Sequence, residues 1–299
     1  MSHGGVAAPP ARGPRAGPLL SLSTGTFLPV PLATVLAIAR AAGVDGVELV
    51  VTPEVALRAP ESLRRTVEAS GVPVLSVHPP ILPVPLPGWR SELEGFRRAL
   101  DLALAFPEAR VVTLHTPDAA SWKDREARAW LEVLAESVAR TEGRALTLAV
   151  ENEKETRPSH ATRVLHDPSV LAAFAEELGL GITFDTGHAG SGGRDVVEAA
   201  RVVRPRLVNV HLNDLRRLPP LLEGLAPGLA HALLLHHQLP GHGTLPLRET
   251  LRLLRATGYT GLITLELSPV AVGLWRPGRL VTCLQQAVAW CRAALEDEP

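Results

Sequence analysis

The sequence predicts an α/β chain folded as a single-domain (β/α)8 TIM barrel. Three observations predict it. Short apolar strands alternate eight times with amphipathic helices, at about thirty residues per unit. The strands read as nearly continuous apolar runs, as parallel strands covered on both faces do. The first strand is followed by "STGTFLPVP", without the G-x-G-x-x-G turn of the competing doubly wound sheet.

In chain order, strands are expected at 19–27 ("LLSLSTGTF"), 46–50 ("GVELV"), 72–78 ("VPVLSVH") and 110–115 ("RVVTLH"). Four more are expected at 145–151 ("ALTLAVE"), 181–185 ("GITFD"), 207–211 ("LVNVH") and 262–266 ("LITLE"). Helical spacing of apolar residues covers 91–106, which opens on a Ser cap with Glu in its first turn. It also covers 124–143 and 247–258, and both end at Gly. A last helix over 277–296 is apolar on more than one side, suited to closing the barrel or meeting a second copy of the chain. The stretch 216–246 is an insertion in the seventh loop, on the face where barrel active sites lie. Residues 1–18 are rich in Gly, Ala and Pro and read as a disordered tail ahead of a barrel over 19–299.

Composition excludes several classes. The 299 residues carry 30 basic and 31 acidic side chains, net charge −1, so no global field favours nucleic acid or an anionic membrane. No stretch approaches a membrane span, and none has signal-peptide character. Cys283 and Cys291 share one expected helix, roughly 12 Å apart, too far for a disulfide. A reduced, cytoplasmic chain follows.

The strand ends carry the chemistry. Seven successive strands finish on a carboxylate or an imidazole: Glu48, His78, His115, Glu151, Asp185 with His188, His211 and Glu266. A barrel gathers all these ends on one rim. Crowded carboxylates repel unless a cation compensates, and neutral imidazoles supply nitrogen donors. Such a set without thiolates suits Zn²⁺, Mn²⁺, Fe²⁺, Co²⁺ or Mg²⁺. Gly187 is expected to let the chain turn so that His188 faces the same cavity. Glu48 either supports a ligand from behind or acts as an acidic residue at a helix N-terminus. His236 and His237 fall in a loop, and His160 and His166, in the polar stretch after strand five, are expected at the surface; Trp122 and Trp275 lie just past strands four and eight, near the mouth.

With "GVDGVEL", "SVHPP", "TLHTP", "AVENE", "FDTGHAGSGGRD", "NVHLND", "LPGHGTLP" and "LELSP" in this order, the chain resembles the xylose isomerase-like TIM-barrel superfamily over nearly its whole length after the tail. The superfamily holds sugar isomerases and epimerases, dehydratases, and nucleases of the endonuclease IV type. Its epimerase branch implies one divalent ion, Mn²⁺ or Zn²⁺ with Mg²⁺ or Co²⁺ as alternatives, held by Glu151, Asp185, His211 and Glu266. The same branch implies His188 and Arg217 for substrate hydroxyls. The nuclease branch implies a second ion on His78, His115 and Glu151, and a third-site remnant at His188 and His236. That third site is incomplete, because its expected Asp falls on Leu234. The Tyr that the nucleases use at the DNA gap would fall near Ile81.

Three functions follow from the resemblance. The first is a metal-dependent isomerase or epimerase of a sugar or related hydroxy-carbonyl compound. There Glu151 and Glu266 exchange a proton with the substrate, and the ion stabilises an enediolate. The alternative is a zinc phosphodiesterase acting on abasic-site DNA. His78 and His115 favour it; Leu234, the balanced charge and the lack of a basic or aromatic stretch oppose it. The third is a non-catalytic barrel that binds a metal or a sugar. A bridging Glu151 separates the first two, since a carboxylate shared by two ions is a weak proton acceptor.

Overall fold

The computed structural model describes residues 17–81, 91–155, 162–217 and 233–296. Most of the expected tail, His160 and much of the seventh-loop insertion lie outside these residues.

Eight parallel strands close into one barrel in the order β1 to β8. They are β1 (Leu19–Ser23), β2 (Gly46–Val50), β3 (Val74–His78), β4 (Val111–His115), β5 (Thr147–Glu151), β6 (Gly181–Asp185), β7 (Leu207–Leu212) and β8 (Leu262–Leu265). The first strand is shorter than expected: after Ser23 the chain turns into a 3-10 helix at Thr24–Phe27. Around the barrel run α1 (Leu32–Ala42), α2 (Pro53–Leu57), α3 (Pro60–Ser70), α4 (Glu92–Ala105), α5 (Arg125–Thr141) and α6 (Pro168–Glu177). They are followed by α7 (Thr186–Ser191), α8 (Val196–Val203), α9 (Leu247–Ala256) and α10 (Pro277–Glu296). The Ser91 hydroxyl accepts from the Glu94 amide at 3.2 Å, which caps α4 as its sequence implies. The last helix, α10, packs against α1 and α9, closing the outer layer.

Strand alternation divides the residues into two sets. Leu22, Leu49, Val77, Leu114, Val150, Phe184, Val210 and Leu265 join Leu36, Phe96, Leu134, Leu171, Leu251 and Leu284 of the helices in one core. The alternate positions face inward: at the floor Val111, Ala149 and Leu262 fall in a small separate apolar cluster, and above it the inward positions are polar. Hydrogen bonds between strands that are not neighbours establish this. Thr113 of β4 meets Thr183 of β6 at 3.1 Å, and Asn209 of β7 reaches Glu48 of β2 at 3.3 Å. The runs that read as continuously apolar therefore hide a polar inner face. It rises through Ser76, Thr113, Thr183, Asn209 and Thr264 to the acids and imidazoles at the rim.

Candidate metal centre

Strand register sets which rim residues meet. His115 pairs with Glu151 across β4 and β5, and Asp185 pairs with His211 across β6 and β7. Glu151, Asp185, His211 and Glu266 offer ligand atoms that all lie within 4.8 Å of one another. The Nδ1 of His211 lies 2.9 Å from Oε1 of Glu151 and 3.1 Å from Oε2 of Glu266. One N–H cannot serve both, and Glu266 Oε2 is buried with no hydrogen-bond partner among the described residues. Asp185 is oriented through both oxygens: Oδ1 accepts from the His188 amide at 2.7 Å, Oδ2 from Asn213 Nδ2 at 2.9 Å. Asn152 then clamps the Asp185 backbone, accepting from its N–H at 2.7 Å and donating to its carbonyl at 3.0 Å.

A second cluster shares Glu151. The Nε2 atoms of His78 and His115 lie 3.3 Å apart, and each lies 3.5 Å and 3.4 Å, respectively, from Oε2 of Glu151. A tetrahedral zinc with ligands at about 2.0–2.1 Å sets neighbouring donors about 3.3–3.4 Å apart, so this triangle has the right size. Ring orientation agrees. Nδ1 of His78 lies 2.7 Å from the Pro79 carbonyl, and Nδ1 of His115 lies 2.6 Å from Oε1 of Glu92. Each Nδ1 therefore donates outward, and two Nε2 lone pairs face each other. A proton or a cation must lie between them. Both donor sets fit a divalent ion: oxygen and imidazole nitrogen only, converging, with carboxylate oxygens of Glu151 and Glu266 unsatisfied.

Electrostatics match. Burial acts to raise the pKa of Glu151 and Glu266, but the charge of His211 outweighs it and holds both well below the usual carboxylate range. Burial likewise acts to lower His211, yet Glu48, Glu151 and Glu266 raise it well above an ordinary imidazole. Asp185 goes the other way: burial dominates and raises it. Without metal, protons on imidazoles compensate the carboxylates; a cation would replace them.

The remaining expected site residues divide. His188 sits beside the first cluster, its Nδ1 2.9 Å from the Asn152 carbonyl and 3.8 Å from Oε1 of Glu151. The imidazole that approaches it is His237, with ring centroids 6.0 Å apart; His236 is buried next to His237 at 6.4 Å. Among the described residues, no third group of three donors forms around His188 and His236. Arg217 is exposed, immediately before residues outside the description. Gly187 serves a different purpose from the expected turn. Its φ is not positive, and a Cβ there would lie 2.0 Å from Oδ1 of Asn213. It is the close approach of Asn213 that excludes a side chain.

Sequence reasoning missed Asn152, Asn213, Glu92 and Asp214. The first two sit inside "AVENE" and "NVHLND", so the motifs held a signal for them. Asp214 anchors the "LPGHGTLP" loop: its carboxylate accepts from the amides of Leu215, Gly241, Gly243 and Leu245 at 2.9–3.0 Å. Trp122 stacks on Phe174 at 5.4 Å as a loop anchor, while Trp275 is largely exposed. His166, expected at the surface, is instead buried, its Nε2 2.9 Å from Oε2 of Glu155. Tyr259 is buried too, its hydroxyl donating to the Leu262 carbonyl at 2.8 Å.

Comparison with known proteins supports the same architecture. A family model described as xylose isomerase-like TIM barrel matches residues 36–293. An uncharacterized protein of Mycobacterium tuberculosis is 28% identical over 270 residues, covering 83% of this chain and 88% of that one. A D-tagatose 3-epimerase-like protein superposes with a TM-score of 0.65 at 19% identity, covering 93% of this chain and 98% of that one. The IOLI protein with a bound zinc atom superposes with a TM-score of 0.63 at 14% identity, covering 92% and 96%. No helix among the described residues is long and apolar enough to cross a membrane.

Proposed function

Because the chain belongs to the xylose isomerase-like TIM-barrel family, we propose that it is a divalent-metal-dependent enzyme that isomerises or epimerises a sugar or related hydroxy-carbonyl compound. The observation that carries this reading is the convergence of Glu151, Asp185, His211 and Glu266 within 4.8 Å at the barrel mouth. A bound divalent ion would polarise substrate oxygens and stabilise charge that develops on them. Glu266 is the better placed proton acceptor. It is 13% exposed toward the mouth, whereas Glu151 is only 2% exposed and already faces His211, His78 and His115. His188, with Nδ1 tied to the Asn152 carbonyl, would present Nε2 to a substrate hydroxyl. Arg217 is the second candidate for that task.

The surroundings favour a small neutral substrate over a polyanion. Glu92 and Glu153 both raise His115, so two carboxylates border the second cluster on its outer side. Phosphate-backbone binding needs several cations there.

The test follows solvent deuterium. Protein reconstituted with Mn²⁺ or Zn²⁺ is incubated in D2O with a panel of ketoses and aldoses. Deuterium is expected at the carbon beside the carbonyl, with the exchange abolished in Glu266→Gln. No exchange across the panel, together with cleavage of a phosphodiester, would overturn the reading.

A second reading, a two-ion zinc phosphodiesterase, is favoured by the His78–His115–Glu151 triangle. Its test is incision of an abasic-site duplex by zinc-loaded protein, lost in Glu151→Gln.

A further inference from the structure

One carboxylate in the barrel is left without a task by this reading. Glu48 does not finish its strand as expected: it lies in the middle of β2, level with Ser76, and is fully buried. Its Oε2 lies 3.1 Å from Nε2 of His211 and accepts from Ser76 Oγ at 3.0 Å and from Asn209 Nδ2 at 3.3 Å. Because Oε2 already accepts from Ser76 and Asn209, it is the acceptor in the first contact as well, and the hydrogen there sits on Nε2. The opposite nitrogen, Nδ1, is the one that faces Glu151 and Glu266. A metal-ligating imidazole needs this polarity, with a lone pair toward the ion and an N–H toward an outer acceptor.

The arrangement recurs at His115. Glu92 opens α4 and, from the helix's first turn, reaches Nδ1 of His115 at 2.6 Å. The Nε2 of that ring faces His78 and Glu151. A role in the core alone does not explain Glu48. Its Oε1 is buried with no hydrogen-bond partner among the described residues, and an unpaired polar atom there costs stability. What an anion supplies, and a neutral side chain does not, is an obligatory acceptor behind His211.

We propose that Glu48 and Glu92 are positioning residues, each fixing the tautomer of one imidazole so that its lone pair faces one of two cation sites. Glu48 does so for His211 in the four-residue cluster, Glu92 for His115 in the three-residue cluster. The inference rests on the metal reading of both clusters.

The test is a zinc titration against a chromophoric chelator, on the full chain, for wild type, Glu48→Gln and Glu92→Gln. Long-range ¹⁵N–¹H spectra of the histidine rings accompany it. Glu48→Gln is expected to weaken one ion by about 10–100-fold and leave the other within about twofold; Glu92→Gln is expected to do the reverse. Zinc-loaded wild type is expected to show His211 protonated at Nε2 and His115 at Nδ1. Glu92 is 60% exposed, so its variant tests the idea even if Glu48→Gln fails to fold. Opposite tautomers, unchanged affinities in both variants, or an equal loss at both ions would overturn the proposal. A single ion per wild-type chain would overturn the Glu92 half. Wild type that takes up no zinc would remove the metal reading and this inference together; normal uptake with unaffected variants would remove this inference alone.

Discussion

Glu151 meets His211 through Oε1 at 2.9 Å, which turns its Oε2 toward His78 and His115 at 3.5 Å and 3.4 Å. One carboxylate thus serves two groups of donors, one oxygen to each. Glu151→Gln should therefore act on both. Each site loses an anionic oxygen and gains an amide. We expect zinc content measured by plasma emission to fall at both sites, and turnover to drop by about 10²-fold or more. Loss of one ion with the other intact would count against the bridging role.

Acid–base behaviour gives a second prediction. Burial acts to lower His115, but the contact with Glu92 and the charges of Glu151 and Glu153 raise its pKa from 6.5 to about 10 in the metal-free chain. The folded value exceeds the unfolded one. The resulting stability is complete below about pH 6.5 and is lost as pH rises through about 10. Melting temperatures in chelator should fall across that window, and Glu92→Gln should flatten the fall. A zinc-loaded sample should show a smaller alkaline loss, because binding has already removed the proton.

Gly187 tests how closely the site is built. A methyl group at its Cα would stand 2.0 Å from Asn213 Oδ1, and Asn213 orients Asp185 at 2.9 Å. Gly187→Ala should cost about 1–3 kcal/mol in stability, as overpacking does. It should also weaken metal binding at the cluster containing Asp185. Thermal unfolding and zinc titration read the two effects separately; unchanged affinity would show that Asn213 is dispensable for aiming Asp185.

Asp214 offers a test away from the ions. Its two oxygens take four backbone N–H groups from the segment after β7 and the loop that follows. Asp214→Asn replaces one acceptor with a donor aimed at donors. We expect a stability loss of about 1–3 kcal/mol. Faster amide exchange at Gly241, Gly243 and Leu245, read by hydrogen exchange, should accompany it. Protection equal to wild type would show that other contacts hold the loop.

The strand ends were legible because a barrel needs only local information to bring them together. Once eight strands alternate with helices, Glu151, Asp185, His211 and Glu266 must share a rim, whatever their separation in sequence. The inner face was less legible. Short strands such as "VLSVH" and "LVNVH" hold so few polar positions that their alternation reads as a continuous apolar run. The choice between His236 and His237 beside His188 depends on how a loop turns, and no strand periodicity fixes that.

The sequence by itself determined the barrel, the ring of acids and imidazoles at its mouth, and the residue types able to hold a divalent ion, because periodicity and residue chemistry are local properties. Only the tertiary structure decided that Glu151 divides its oxygens between two clusters, that Glu48 and Glu92 stand behind His211 and His115, and that Gly187 makes room for Asn213. Those facts depend on register between strands and on which face of each ring meets which oxygen. Such distances are set by packing across the barrel, between residues far apart along the chain.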